Sequence, residues 1–291
     1  MGKLYLGTQE IAPLIYDAKE ATGITREVDA NGVFRFPTQN FTFSLPSNAT
    51  NVAAYALCTS FRSCTSLTSV DFSSLTTVSN SYALSNAFYN CSNLTSVDFP
   101  ALATVSGDSA FSSAFGNCTS LASVSFPALT TVSGSSAFNS AFSNCVRLTS
   151  VDFSSLTTVS NSYAFGSAFS SCTNLTSVDF SSLATVSGSS AFNSAFYGCR
   201  SLVSVSFPAL TTCGSSAFSS AFYGCRSLAS VSFPALTTSS FGPYTNQLNN
   251  MLQGCSNVTV HFPAAIQSTI GSWPSVTSGF NGTNTTVLFD L

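Results

Sequence analysis

The feature that most constrains this chain is a cysteine that returns every 27 residues, at Cys64, Cys91, Cys118, Cys145, Cys172 and Cys199. Cys225 follows after 26 residues and Cys255 after 30. Between successive cysteines the chain keeps to the template C-x-x-L-x-S-V-[DS]-F-x-x-L-x-x-V-x-x-x-x-A-F-x-x-A-F-x-x. Self-similarity at a fixed period of this length means stacked supersecondary units: a solenoid, a propeller or an array. A longer period overlies it. SLTSVDFSSLTTVSNSYA after Cys64 returns as RLTSVDFSSLTTVSNSYA after Cys145, 81 residues later, so a block of three repeats was duplicated.

Two periodicities alternate within a repeat. Val70 and Phe72 flank Asp71, as on a short strand with alternate side chains inward. Ala137, Phe138, Ala141, Phe142 and Cys145 then fall at i, i+1, i+4, i+5 and i+8, which predicts one face of a helix about two turns long. Leu129 and Val132 punctuate an extended arm between them. Each coil is therefore read as strand, arm and short helix. Parallel strands stacked about 4.8 Å apart would align Phe72, Phe99, Phe126, Phe153, Phe180, Phe207 and Phe233 in one ladder. Phe111, Phe138, Phe165, Phe192 and Phe218 would align in another. Burying one Phe contributes about 2–3 kcal/mol, so such ladders can hold a stack without ion pairs.

Composition agrees with a large core and narrows the function. The chain is 44% hydrophobic with 27 Phe and only 7% charged residues, against about 25% in a typical globular protein. A formal net charge of −3 with no basic stripe argues against nucleic acid as a partner. No run of about 18 apolar residues predicts insertion into a membrane. The first twenty residues lack the cationic-then-apolar pattern of a secretory signal.

The motif L-x-S-V-x-F-P-x-L-x-x-V followed by A-F-x-x-C resembles the BspA-like leucine-rich repeats of bacterial surface proteins, from about residue 34 to the end. The usual repeat of that family is shorter, and this chain carries an extra Ala-Phe-x-x. The resemblance implies an α/β solenoid: a leucine-rich-repeat-like, right-handed coil of strand–arm–short-helix repeats with N- and C-terminal caps. The expected division is a docking hairpin over 1–33, the solenoid over 34–254 and a C-terminal cap over 255–291. In that cap, Leu248 and Leu252 lead in from the Phe positions, Ala264 to Trp273 reads as a helix, and Thr286 to Phe289 as a closing strand.

The N-terminus differs in kind, with nine of the nineteen charged residues in the first 36. KLYLG and IAPLIY read as two strands of a hairpin around Gly7-Thr8-Gln9-Glu10, and Phe34 to Pro46 as a degenerate first coil. The opening MGKLYLGTQEIAPLI resembles the start of small phage structural proteins, where K-[IL]-Y-L-G begins a docking hairpin. That resemblance implies contact with other virion proteins through residues 1–33. The oligomeric state is open, a homo-oligomer included.

Parts for catalysis are missing from the sequence. His261 is the only histidine, no C-x-x-C spacing occurs, and there is no nucleophile motif or phosphate loop, so neither enzyme nor cofactor is expected. The cysteine column reads as small buried hydrophobes, with Cys58 and Cys213 off the column and open to exposure. Carboxylates pair on adjacent coils, Asp71 with Asp98 and Asp152 with Asp179, a spacing suited to Ca²⁺, to a sugar hydroxyl or simply to solvating the strand face. Beside them runs the serine column Ser69, Ser96, Ser123, Ser150, Ser177, Ser204 and Ser230, and on the arm the pairs Thr76-Thr77, Thr130-Thr131, Thr157-Thr158 and Thr211-Thr212. Hydroxyl arrays suit carbohydrate or ice, and they also keep a weakly charged solenoid in solution. The candidate ligand-binding set is Ser69, Asp71, Ser96, Asp98, Ser123, Ser150, Asp152, Ser177, Asp179 and Ser204. Two functions follow: a virion surface protein of a bacteriophage (a tail or head fibre, or a decoration protein) engaging host-surface or mucin carbohydrate, or a bacterial cell-surface adhesin.

Overall fold

The computed structural model describes residues 54–237 without a break, together with 41–45, 47, 49–52, 248, 250–270, 281–291 and four two-residue strands nearer the N-terminus. The sequence repeat becomes a parallel β-solenoid in which successive coils stack residue on residue. Its front ladder takes one strand from each coil: Phe41–Ser44, Leu67–Asp71, Ser96–Asp98, Ser123–Ser125, Ser150–Asp152 and Ser177–Asp179. The register is that of the repeat, Ser123 against both Ser96 and Ser150, and Val124 against Val97 and Val151. A second ladder of two-residue strands runs from Thr77–Val78 to Thr212–Cys213, also in register. The front ladder resumes as Ser204–Ser206, Ser230–Ser232, Thr259–Phe262 and Thr286–Phe289. Strand pairing is interrupted between Ser177–Asp179 and Ser204–Ser206, while the core continues across the gap with Phe180 stacked on Phe207 at 5.6 Å.

The core is a set of aromatic columns. Phe72, Phe99, Phe126 and Phe153 stack face to face at 4.7–5.0 Å with their planes within 8°. Phe111, Phe138, Phe165 and Phe192 form a second column at 4.9–5.1 Å. The two columns meet edge to face, Phe126 on Phe138 at 5.4 Å and 85°. Edge-to-face contact sets the positive ring edge against the negative ring face. Val70, Phe72, Leu75 and Val78 are all buried, as the alternation predicts.

The short helix is not there. From Ser136 to Cys145 the chain runs through consecutive turns, with positive φ at Ser136, Ser140 and Asn144, every fourth residue. Asn139, Ala141, Ser143 and Cys145 each donate their N–H to the carbonyl three residues back. The alternate residues Ser136, Phe138, Ser140, Phe142 and Asn144 donate to the next coil, at 2.7–2.9 Å. A helix would spend nearly all these donors on itself; this arm spends every second one on its neighbour. The apolar pattern misled because its period is four, one turn unit of αL residue, Ala, Phe and spacer, rather than 3.6. Two residues of each unit face inward. The fold is therefore a β-solenoid and not the α/β solenoid expected.

The ends also depart from expectation. The opening hairpin exists, but Tyr5–Leu6 pairs antiparallel with Gln9–Glu10, and the expected second strand at 11–16 lies outside the described residues. Phe34–Arg35 pairs antiparallel with Glu27–Val28, so it is not part of a first coil; the parallel register begins at Phe41. At the other end Leu248 and Leu252 are buried in the phenylalanine positions. Among the described residues helix occurs only at Ala264–Ile266 and Gln267–Ile270, and 271–273 lie outside the described residues. Thr286–Phe289 is a strand, but it pairs parallel with Thr259–Phe262 and so extends the sheet by one more rung.

Candidate functional site

Repetition makes any surface feature of one coil a column along the whole molecule, so each column is judged by whether its polar groups are already in use. Two threonine columns are in use. Thr76, Thr130, Thr157, Thr211 and Thr237 each donate to a carbonyl of the preceding coil. Thr95, Thr149 and Thr176 do the same on the flank of the front ladder. These threonines tie coils together, whereas those of the second ladder, Thr77, Thr104, Thr131, Thr158, Thr185 and Thr212, are half-buried.

The aspartates are partly engaged. Asp71, Asp152 and Asp179 each accept the backbone N–H two residues on, from Ser73, Ser154 and Ser181 at 2.8–2.9 Å. This is the local turn that Asp favours where a strand ends. It explains a covariation inside the chain: Asp-Phe-Ser-Ser alternates with Ser-Phe-Pro-Ala, because a proline at the third position has no N–H to give. Asp98 is the exception. It is followed by Phe99 and Pro100, is exposed, and makes no hydrogen bond among the described residues. Asp71 faces Asp98 across the ladder, and Asp152 faces Asp179. Among the described residues no group of three or more His, Cys, Asp or Glu converges to hold a metal.

The serine column is both exposed and unengaged. Ser123, Ser150, Ser177 and Ser204 are exposed, and their hydroxyls have no partner among the described residues. They line an open groove of about 700 Å³ along the front ladder, together with Asp98, Asp152 and Asp179. The groove straddles the interruption in strand pairing and ends at Pro208. Seven of the ten candidate residues thus share one cavity. Ser69, Asp71 and Ser96 sit on the same face toward the N-terminal end, outside the groove, with Ser69 and Ser96 half-buried.

The cysteine column is buried, and all ten cysteines are free thiols. Cys91 to Cys255 each donate their thiol to the carbonyl of a phenylalanine on the preceding coil, at 3.0–3.1 Å. Phe115 O, for example, takes both Cys118 N and Cys145 Sγ. The thiol is thus a weak donor to a second lone pair and not merely a small hydrophobe. Burial pushes Cys118 and Cys172 up to about 12. Cys213 corrects an expectation of exposure: it takes the valine place beside Val186, is buried, and is pushed up to about 12 by desolvation. Cys58 is half-buried.

One surface was overlooked in the sequence. Tyr197 and Tyr223 stack at 4.8 Å on the outside of adjacent coils, and each opens a Tyr-Gly-Cys-Arg tetrapeptide. That repeated tetrapeptide was the signal available.

Fold and surface together define the class: a parallel repeat protein whose exposed columns are available for contact. The family description "BspA type leucine rich repeat region" matches in six copies over residues 30–166, 85–219 and 193–268. The chain belongs to the BspA-type leucine-rich-repeat family. Among solved structures it is similar to the Treponema pallidum leucine-rich-repeat protein TpLRR, 19% identical, covering 90% of this chain and 96% of that one, TM-score 0.39. A leucine-rich-repeat protein of Bacteroides ovatus is 18% identical over 91% and 98%, TM-score 0.29. A leucine-rich cell surface protein of Faecalibacterium prausnitzii is 16% identical over 91% and 93%, TM-score 0.25. Among curated proteins none matches.

Proposed function

We propose that the chain is a non-enzymatic adhesion module that holds carbohydrate along the front ladder. The observation that carries this reading is a set of four exposed serine hydroxyls within one groove, unpartnered among the described residues: Ser123, Ser150 and Ser177 in register, and Ser204 beyond the interruption in strand pairing. Hydroxyls repeating at the strand spacing of about 4.8 Å offer a polysaccharide a row of donors and acceptors. The aspartates along the same edge accept from sugar hydroxyls, Asp98 with both oxygens and Asp152 and Asp179 with what their turns leave over. A solenoid groove is open along its length, which suits an extended chain better than a small molecule.

The carrier we propose is a bacteriophage particle, on the resemblance of MGKLYLG to phage structural proteins and the charged segment 1–33 outside the repeat register. Charge-rich segments set partner choice through complementarity. A bacterial cell surface is the second reading, favoured by family membership. Immunogold labelling of a producing culture separates them: label on particles supports the first, and label on the cell envelope overturns it.

The groove is tested with a panel of neutral mucin-type oligosaccharides. The double variant Ser150→Leu/Ser177→Leu removes two hydroxyls and fills the groove, and should weaken binding about tenfold or more, the scale of two lost hydrogen bonds. Full binding by the folded double variant would remove the groove from the function.

A further inference from the structure

The solenoid proper contains only four cationic residues, Arg62, Arg147, Arg200 and Arg226, and all lie within two residues of a column cysteine. They share the corner where the turn arm meets the front strand. The acids of the front face, Asp71, Asp98, Asp152 and Asp179, lie seven residues beyond a column cysteine, at the far end of that strand. Charge is therefore segregated across the coil, at opposite ends of the front strand. Arg62 is engaged, its guanidinium lying 4.7 Å from the centroid of the Tyr89 ring. Arg200 and Arg226 are not: both are exposed, and neither makes an ion pair or hydrogen bond among the described residues. They occupy the same position on consecutive coils, each directly after a fully buried cysteine.

The corner beneath them is fixed. Gly198 and Gly224 adopt φ +69°, which a side chain would resist, and Gly198 N donates to Tyr223 O at 2.7 Å, tying the two coils together. Cys225 Sγ donates to Phe196 O one coil back. Tyr197 and Tyr223 stack with planes 14° apart, and Tyr197 is 43% exposed. On the coil before, the position of Tyr197 is held by Ser170, too short to cover the outer ring face. Two like charges one coil apart with no local counter-charge repel each other, and an anion bridging them removes that repulsion and adds charge-assisted hydrogen bonds. An exposed aromatic ring three residues before Arg200 is a platform for the apolar side of a sugar ring.

We propose that this corner is a second binding site, for an anionic glycan whose neighbouring acid groups engage Arg200 and Arg226 while a pyranose ring lies against Tyr197. It is separate from the groove in both position and ligand, and does not depend on the groove binding anything. Carboxylated and sulfated sugars share the required chemistry.

The test titrates the full chain at low ionic strength with four probes: a hyaluronan hexasaccharide, a chondroitin sulfate hexasaccharide, a neutral chitin hexasaccharide and a single-stranded DNA hexamer. One or both acidic sugars should bind, the neutral sugar and DNA should not, and added salt should weaken the complex. Preference for hyaluronan would assign the carboxylate, and binding of the sulfated probe alone the sulfate. Arg200→Gln/Arg226→Gln should weaken binding about tenfold or more. Tyr197→Ser should weaken it while lowering the melting temperature by only the few degrees that one lost ring stack accounts for, and Ser150→Leu/Ser177→Leu should leave it unchanged. If the double arginine variant fails to fold, Arg200→Lys/Arg226→Lys keeps charge without the bidentate fork and should bind with intermediate strength. No binding of either acidic sugar, equal binding of the neutral sugar or of DNA, or full binding by the folded arginine variant would overturn the proposal.

Discussion

At the scale of single residues, the same side chain means different things according to what its neighbours leave it. Asp152 and Asp98 occupy the same column, yet Asp152 accepts from Ser154 N, while the residue two beyond Asp98 is Pro100, which has no N–H to donate. Asp152→Ala should therefore cost about 1 kcal/mol in urea denaturation, the scale of one hydrogen bond. Asp98→Ala should cost nothing, or stabilise slightly by relieving its in-register repulsion with Asp71. Equal losses would show that the turn bond is not what holds Asp152. The thiols give a second prediction. Desolvation raises the column cysteines and Cys213 above the ordinary thiol range, Cys118 and Cys213 to about 12. Near neutral pH they are protonated folded or unfolded and add no pH dependence, and as the pH approaches about 9 the unfolded thiols begin to ionise. Above it the unfolded chain ionises while the folded chain does not, so stability should fall steadily from about pH 9 toward 12. At neutral pH native protein should label at Cys58 at most, and rapid labelling of several thiols without denaturant would contradict the buried column.

At the scale of elements, the turn arm is what distinguishes this solenoid from a strand-and-helix repeat, and one substitution has opposite signs in the two. Ser140 has φ +55°. In the left-handed region a residue with a Cβ is strained by about 1–2 kcal/mol, which glycine escapes. Ser140→Gly should thus leave stability unchanged or raise it by up to about 1 kcal/mol, whereas in a helix it would lower it by several tenths. Close approach of coils sets the reverse demand at Gly134, where an added Cβ would lie 2.1 Å from Gly107 O. The obstacle is backbone, which cannot swing aside, so Gly134→Ala should cost more than about 2 kcal/mol, while Ser133→Ala beside it should be nearly neutral. Thermal unfolding of the two variants makes the comparison.

At the scale of the whole molecule, stability is carried by nearest-neighbour stacking, because every coil touches only the coils beside it. Phe153 sits in mid-column, fully buried, with Phe126 and Phe180 on its two faces at 5.0 and 5.5 Å. Phe153→Ala should cost about 3–5 kcal/mol. Phe289, on the last rung, is half-buried and stacks on Phe262 alone at 6.0 Å with a 27° tilt. Phe289→Ala should cost well under half as much, and similar losses would mean that the final rung is packed as tightly as the middle. The same logic places contact surfaces: an exposed group repeated on each coil becomes a row, so function resides in columns that packing has left free.

Much of this was written in the chain itself. A cysteine every 27 residues fixed the coil length, and alternation around Val and Phe fixed the front strands and their inward face, because a two-residue period admits one reading once a core is required. The candidate serines and aspartates were legible for the same reason: their strand neighbours point inward, so they point out. The geometry of the arm was not legible, since two apolar residues in every four resemble a helix face until backbone donors are assigned to the next coil. Nor was the division among hydroxyls. Ser150 and Thr149 are adjacent and chemically alike, yet only the stacked structure shows that Thr149 donates to Ala122 O while Ser150 opens into the groove. Sequence determines which residues share a column; what each column still has to offer depends on contacts between coils, and those exist only once the coils are stacked.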